Sequence, residues 1–141
     1  MRFVRARLFA IAFMSFSCTW AAAADKPCTK PDQQRAMKAI DAVVTWQQLY
    51  KSWQDFGHCD TGGDVSDQFA DALLRLVVDW KNVPTFSAAV AKDAGYKAFV
   101  LQHLKAATKD DRDAVYSRAK TLCPTGEDAF CAELGEVVKP Q

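Results

Sequence analysis

The sequence has no stretch of sustained apolar–polar alternation, so nothing in it argues for a half-buried β-strand. Six glycines and five prolines among 141 residues are too few for a low-complexity, collagen-like or linker-rich chain. Neither sign of charge dominates, with 18 basic residues against 17 acidic ones. The chain therefore lacks the basic footprint of a nucleic-acid binder and the polybasic patch that anionic lipid attracts. No Gly-rich phosphate loop, Gly-x-Ser-x-Gly elbow or separated carboxylate pair stands out.

What is present begins with an export signal over residues 1–24. Arg2, Arg5 and Arg7 form a basic start, Leu8 to Phe16 an apolar run, and Ala22 and Ala24 a small-x-small pattern before Asp25. The run falls well short of the roughly 20 residues that span a bilayer, so it is no anchor. Cys18 leaves a lipoprotein alternative, but Ser15, Phe16 and Ser17 ahead of it lack the usual aliphatic residue three places upstream. Cleavage after Ala24 predicts a periplasmic or secreted protein with no membrane association once the signal is removed. It also removes three basic residues and no acidic ones, leaving 15 against 17, a net charge of −2. Residues 25–141 are then a single domain, long enough to bury one core without a metal.

Four cysteines remain: Cys28, Cys59, Cys123 and Cys131. An even number in an exported chain predicts disulfides. Three connectivities are possible. Cys123 and Cys131 stand eight residues apart across Pro124-Thr125-Gly126, a turn that favours that bond, and Cys28 with Cys59 would then follow. That second bond carries a geometric demand. One straight helix over 31–56 would put its ends about 39 Å apart, whereas a disulfide needs Cα atoms within about 7 Å. Either the helix breaks or the pairing is different. Thr45 and Gln48 have the spacing of a capping box, and Val43 and Val44 precede them, which favours a break into two helices, 31–43 and 46–56.

The chain is organised around Trp46 to Trp80. Trp46, Leu49, Tyr50, Trp53 and Phe56 share one face of the helix 46–56, with Gly57 as its expected stop. Val65, Phe69, Leu73, Leu76, Val77 and Trp80 share one face of a central helix over 65–81, with Asp64 or Ser66 as its cap. Asp71, Arg75 and Asp79 line its wet side at spacings that allow ion pairs. Further helices are expected over 84–92, over 95–107 with Tyr96, Phe99, Val100, His103, Leu104 and Ala107 inward, and over 109–122 with Val115, Ala119 and Leu122 inward. Thr108 with Asp111, and Thr125 with Asp128, have capping spacing; the second pair opens a helix over 126–138. The expected fold is all-α, a compact bundle of five or six short helices with disulfides.

Candidate chemistry is thin. Asp60-Thr61-Gly62 is the triplet of aspartic proteases, but that triplet works between apolar strands and here a helix follows. Asp60, Asp64 and Asp67 miss the calcium-loop spacing and its closing glutamate. His58-Cys59 with His103 lacks the close pairing of a zinc site, and an oxidised cysteine is no nucleophile. No catalytic residue, metal or cofactor is expected, and the chain reads as a non-enzyme. The turn carrying His58, Asp60 and Asp64 is polar and flanked by helices, which makes it the candidate contact surface for a protein partner.

The words TWQQLYKSWQDFGHCDTGGDVSDQFADALLRLV, AFVLQHL and CPTG…FC, over about residues 45–131, resemble an uncharacterised family of small exported proteobacterial all-α proteins. More loosely, an exported, disulfide-bearing all-α domain of this size is similar to the periplasmic immunity proteins of type VI secretion effectors, cell-wall amidases among them. That likeness implies an inhibitor of an envelope-targeting toxin. The alternative is a small envelope or stress-related protein with another ligand, and an enzyme stands third. Neither likeness transfers binding residues, partner or oligomeric state.

Overall fold

The computed structural model describes residues 26–140; the expected signal peptide and its cleavage site lie outside the described residues. Seven α-helices follow one another: α1 Lys30–Asp41, α2 Trp46–Phe56, α3 Asp64–Asp79, α4 Val83–Lys92, α5 Ala94–Ala106, α6 Lys109–Thr121 and α7 Asp128–Val137. A single 3₁₀ turn, Gly57–Cys59, joins α2 to the loop before α3, and no strand is present among the described residues. The all-α class is as expected, but there are seven helices instead of five or six. The interruptions near Thr45, Asn82, Asp93, Thr108 and Pro124 each end a helix, so short neighbours do not merge.

The chain breaks where the disulfide geometry requires. Thr45 accepts a hydrogen bond from the Gln48 amide, and Gln48 Oε1 accepts one from the Thr45 amide at 3.1 Å. This capping box starts α2 afresh and lets it fold back beside α1. Cys28 and Cys59 are then 4.9 Å apart at Cα and bonded, and Cys123 and Cys131, at 6.0 Å, form the second disulfide. A second capping box at Thr29 and Asp32, overlooked in the sequence, opens α1 immediately after Cys28.

Helix α3 is central, packing against α1, α2, α5 and α6. Val65, Phe69, Ala72, Leu73 and Val77 are its buried residues. At one end of the core the Trp46 ring lies flat on Phe86 at 3.8 Å between centroids, and Phe86 meets Phe130 edge-on at 5.0 Å. The Trp46 indole donates to the Lys81 carbonyl at 2.7 Å, which satisfies its one polar atom. Among the described residues no helix is long and apolar enough to cross a membrane.

Several local expectations need correction. Gly63, with φ of 75°, caps α3, and neither Asp64 nor Ser66 does so. Gly57 does not stop α2 through a left-handed conformation, since its φ is −57°. A Cβ there would lie 3.0 Å from the Trp53 indole nitrogen, so a larger residue at this position needs the ring to give by a few tenths of an ångström. The central helix ends at Asp79, where Trp80 turns left-handed, and Asp79 pairs with Lys81 instead of Arg75. Leu122, expected inward, is 54 % exposed because α6 has ended at Thr121 and the periodic face no longer applies. Its carbonyl, in turn, accepts the Trp80 indole N–H at 2.9 Å. Glu127 takes the N-cap position of α7 without a side-chain bond, so the Thr125–Asp128 box does not form.

Candidate functional site: the stapled turn

The turn between α2 and α3 is held from three sides. Cys59, 2 % exposed, ties it to the segment ahead of α1. Asp60 follows, and its Oδ2 lies 2.9 Å from Nε2 of His103 on α5. Both side chains are about nine-tenths buried, at 10 % and 7 % exposure. Burial pushes the Asp60 carboxyl up, but its contact with His103 outweighs this and holds it below its usual value, while Oδ1 is buried without a hydrogen-bond partner. His103 is thus the hydrogen-bonded boundary histidine that its place on the α5 stripe implies, ringed by Phe99 at 4.7 Å between centroids.

His58 stands one residue before the disulfide, 16 % exposed, with Nε2 3.9 Å from Asp32 Oδ2 and without a hydrogen-bond partner. Asp32 is itself occupied. The Thr29 hydroxyl donates to its Oδ2 at 2.7 Å and the Arg35 guanidinium to its Oδ1. These two bonds hold its carboxyl down from 3.8 to about 2. A carboxyl lowered on folding stabilises the fold above its unfolded value and loses that contribution as the pH falls through its folded value. The stability advantage of the wild type over Asp32→Asn should therefore be full above pH 3.8 and shrink towards pH 2. Urea melts of the two proteins between pH 5 and pH 2 measure it, and a pH-independent difference contradicts the assignment.

Of the three expected contact residues, only Asp64 projects freely, in the exposed first turn of α3 beside Thr61, Gly62 and Gly63. The structure brings His58 and Asp60 to the same turn but directs them to Asp32 and His103. The partners Asp32 and His103 were not among the expected site residues. Thr29-x-x-Asp32 spacing was a legible signal for the first; no sequence signal points across the 43 residues to the second. Asp60, Asp64 and Asp67 do not converge: among the described residues no three His, Cys, Asp or Glu side chains are grouped to hold a metal ion.

Beside the turn lies a cleft of about 470 Å³ whose described lining is Lys26, Pro27, Cys28, Gln33, Gly57, His58 and Thr61. The site and fold together define a disulfide-stapled all-α domain presenting a clamped polar turn. A scan of protein-family models and searches of curated proteins and solved structures find no match for this chain.

Proposed function

We propose that the protein is a non-enzymatic exported binding protein, an inhibitor or immunity protein against an envelope-targeting toxin. In this reading residues 1–24 are removed after Ala24 and the domain works in the periplasm or outside the cell. Two disulfides fit such an oxidising compartment. The resemblance of residues 45–131 to small exported proteobacterial proteins points the same way. The observation that carries the proposal is the fixing of the turn by Cys28–Cys59 and by Asp60–His103. An inhibitor needs a surface already in its bound shape, because ordering a loop on binding lowers affinity.

Deleting the gene is expected to sensitise cells to the product of an adjacent toxin gene, and the purified oxidised protein is expected to bind that product. Asp64→Lys, on an exposed side chain that makes no demand on the core, should weaken binding about tenfold by reversing a surface charge at the contact. Absence of both an adjacent toxin gene and any sensitivity would remove this reading in favour of an envelope or stress-related protein.

A further inference from the structure

The two disulfides differ in what surrounds their sulfurs. Cys28 is half-buried, lies between the exposed residues Pro27 and Thr29, and lines the cleft of about 470 Å³ beside the turn. That volume is within the range that admits a small organic molecule. Its partner Cys59 is 2 % exposed and belongs to the core. The Cys123–Cys131 bond instead joins two helices that pack on each other: Cys123 follows the end of α6, and Cys131 is buried on α7. The bonds also close loops of different length, 31 residues against 8. Once a bond has opened, the ends of a longer loop meet again less often. Cys28, ahead of the first helix, is the end that can move away, whereas the packing of α6 on α7 keeps Cys123 beside Cys131.

We propose that the Cys28–Cys59 bond is a redox-sensitive latch on the turn, opened by a small thiol or dithiol that reaches Cys28 through the cleft. A thiolate attacks Cys28 Sγ, the S–S bond breaks, and its electron pair leaves on Cys59 Sγ, which takes up a proton. A second thiolate then attacks the small thiol's sulfur in this mixed disulfide, and Cys28 leaves and takes up a proton in turn. The two electrons come from two thiol groups, which end as one disulfide. Opening leaves the turn 57–64 tied by Asp60–His103 and by the approach of His58 to Asp32. The core on α3 depends on neither sulfur, since Phe69, Leu73 and Val77 are fully buried against other helices. The latch stands apart from the binding-protein reading; where that reading holds, reduction switches the contact surface off.

The test incubates the purified oxidised protein with reduced glutathione, quenches with acid, and alkylates the free thiols before peptide mapping. The Cys28–Cys59 bond is expected to open at least about tenfold faster than Cys123–Cys131, with glutathione trapped on Cys28. Amide exchange of that reduced form should rise over residues 57–64 while the middle of α3 stays protected. Oxidised glutathione should restore the original pattern. Cys28→Ala, Cys59→Ala should show the raised exchange without any thiol, and glutathione should add nothing at its turn. The proposal is overturned by an equal or reversed order of opening, by glutathione on Cys59, or by an opening rate that rises with urea in step with global unfolding. Loss of the helical fold when this bond alone is reduced also overturns it, as does unchanged exchange over 57–64. A released turn with unchanged toxin binding would leave the latch in place and remove the turn as the contact surface.

Discussion

Removing the Cys28–Cys59 bond with the double substitution Cys28→Ala, Cys59→Ala is expected to destabilise the protein by about 4 kcal/mol, against about 2.5 kcal/mol for Cys123→Ala, Cys131→Ala. The order follows from loop length. The first bond closes 31 residues of chain and the second only 8. The longer loop removes more freedom from the unfolded chain, because closure entropy grows with the logarithm of its length. In a domain of this size about 4 kcal/mol corresponds to a fall in Tm of roughly 15 °C. Native contacts reinforce the difference. Without the bond, the segment ahead of α1 is held by the Thr29–Asp32 cap, and the turn by Asp60–His103 and the approach of His58 to Asp32. Amide exchange should therefore rise first at residues 57–64, while the middle of α3 stays protected. Urea melts of both double variants, with hydrogen exchange on the first, check this. The reverse order of stabilities would show that native-state strain, and not chain entropy, governs these bonds.

Phe69→Ala is expected to cost about 3–5 kcal/mol, enough to leave much of the population unfolded at 37 °C. Phe69 is fully buried in the middle of α3, the helix that packs against α1, α2, α5 and α6. Its ring meets Phe99 edge-on at 5.2 Å. Truncation removes that contact and opens a cavity among the helices packed on α3, which relax only partly to fill it. Phe69→Leu should cost less than half as much, because most of the apolar volume remains. Asp71→Ala, two residues on and exposed, should stay within about 0.5 kcal/mol. Denaturant midpoints at unchanged slope measure all three. Equal effects for Phe69→Ala and Asp71→Ala would mean that α3 is not the core helix.

The features that were legible in the chain are those set by spacing. The Thr45–Gln48 box, the Thr108 cap and the stripe Tyr96, Phe99, Val100, His103 and Leu104 each depend on residues within one or two helical turns. The break near Thr45 was tied to the cysteine pairing: a bond between Cys28 and Cys59 cannot coexist with an unbroken helix between them, and the structure has both the bond and the break. The errors fall at helix ends. Leu122 has the period of an inward residue, but a period says nothing of where the helix stops. The spacing of Thr125 and Asp128 matches a capping box, but Gly126, at φ 90°, turns the chain so that Glu127 becomes the N-cap.

By itself the sequence determined the helical class, the compartment chemistry implied by paired cysteines, and the faces that Val65 to Val77 and Trp46 to Trp53 turn inward. These follow from periodicity and from the reach of a covalent bond, both local or nearly so. Only the tertiary structure decided which polar groups of the turn face out. His58 and Asp60 look equivalent to Asp64 along the chain, yet their surroundings come from α1 and α5. A carboxylate and an imidazole enter an interior only when partners meet them there, and Asp60 meets His103 only after α3 and α5 have packed together. The cleft has the same origin: Lys26, Gln33 and Thr61 share no period, and they adjoin because one disulfide closes the chain on itself.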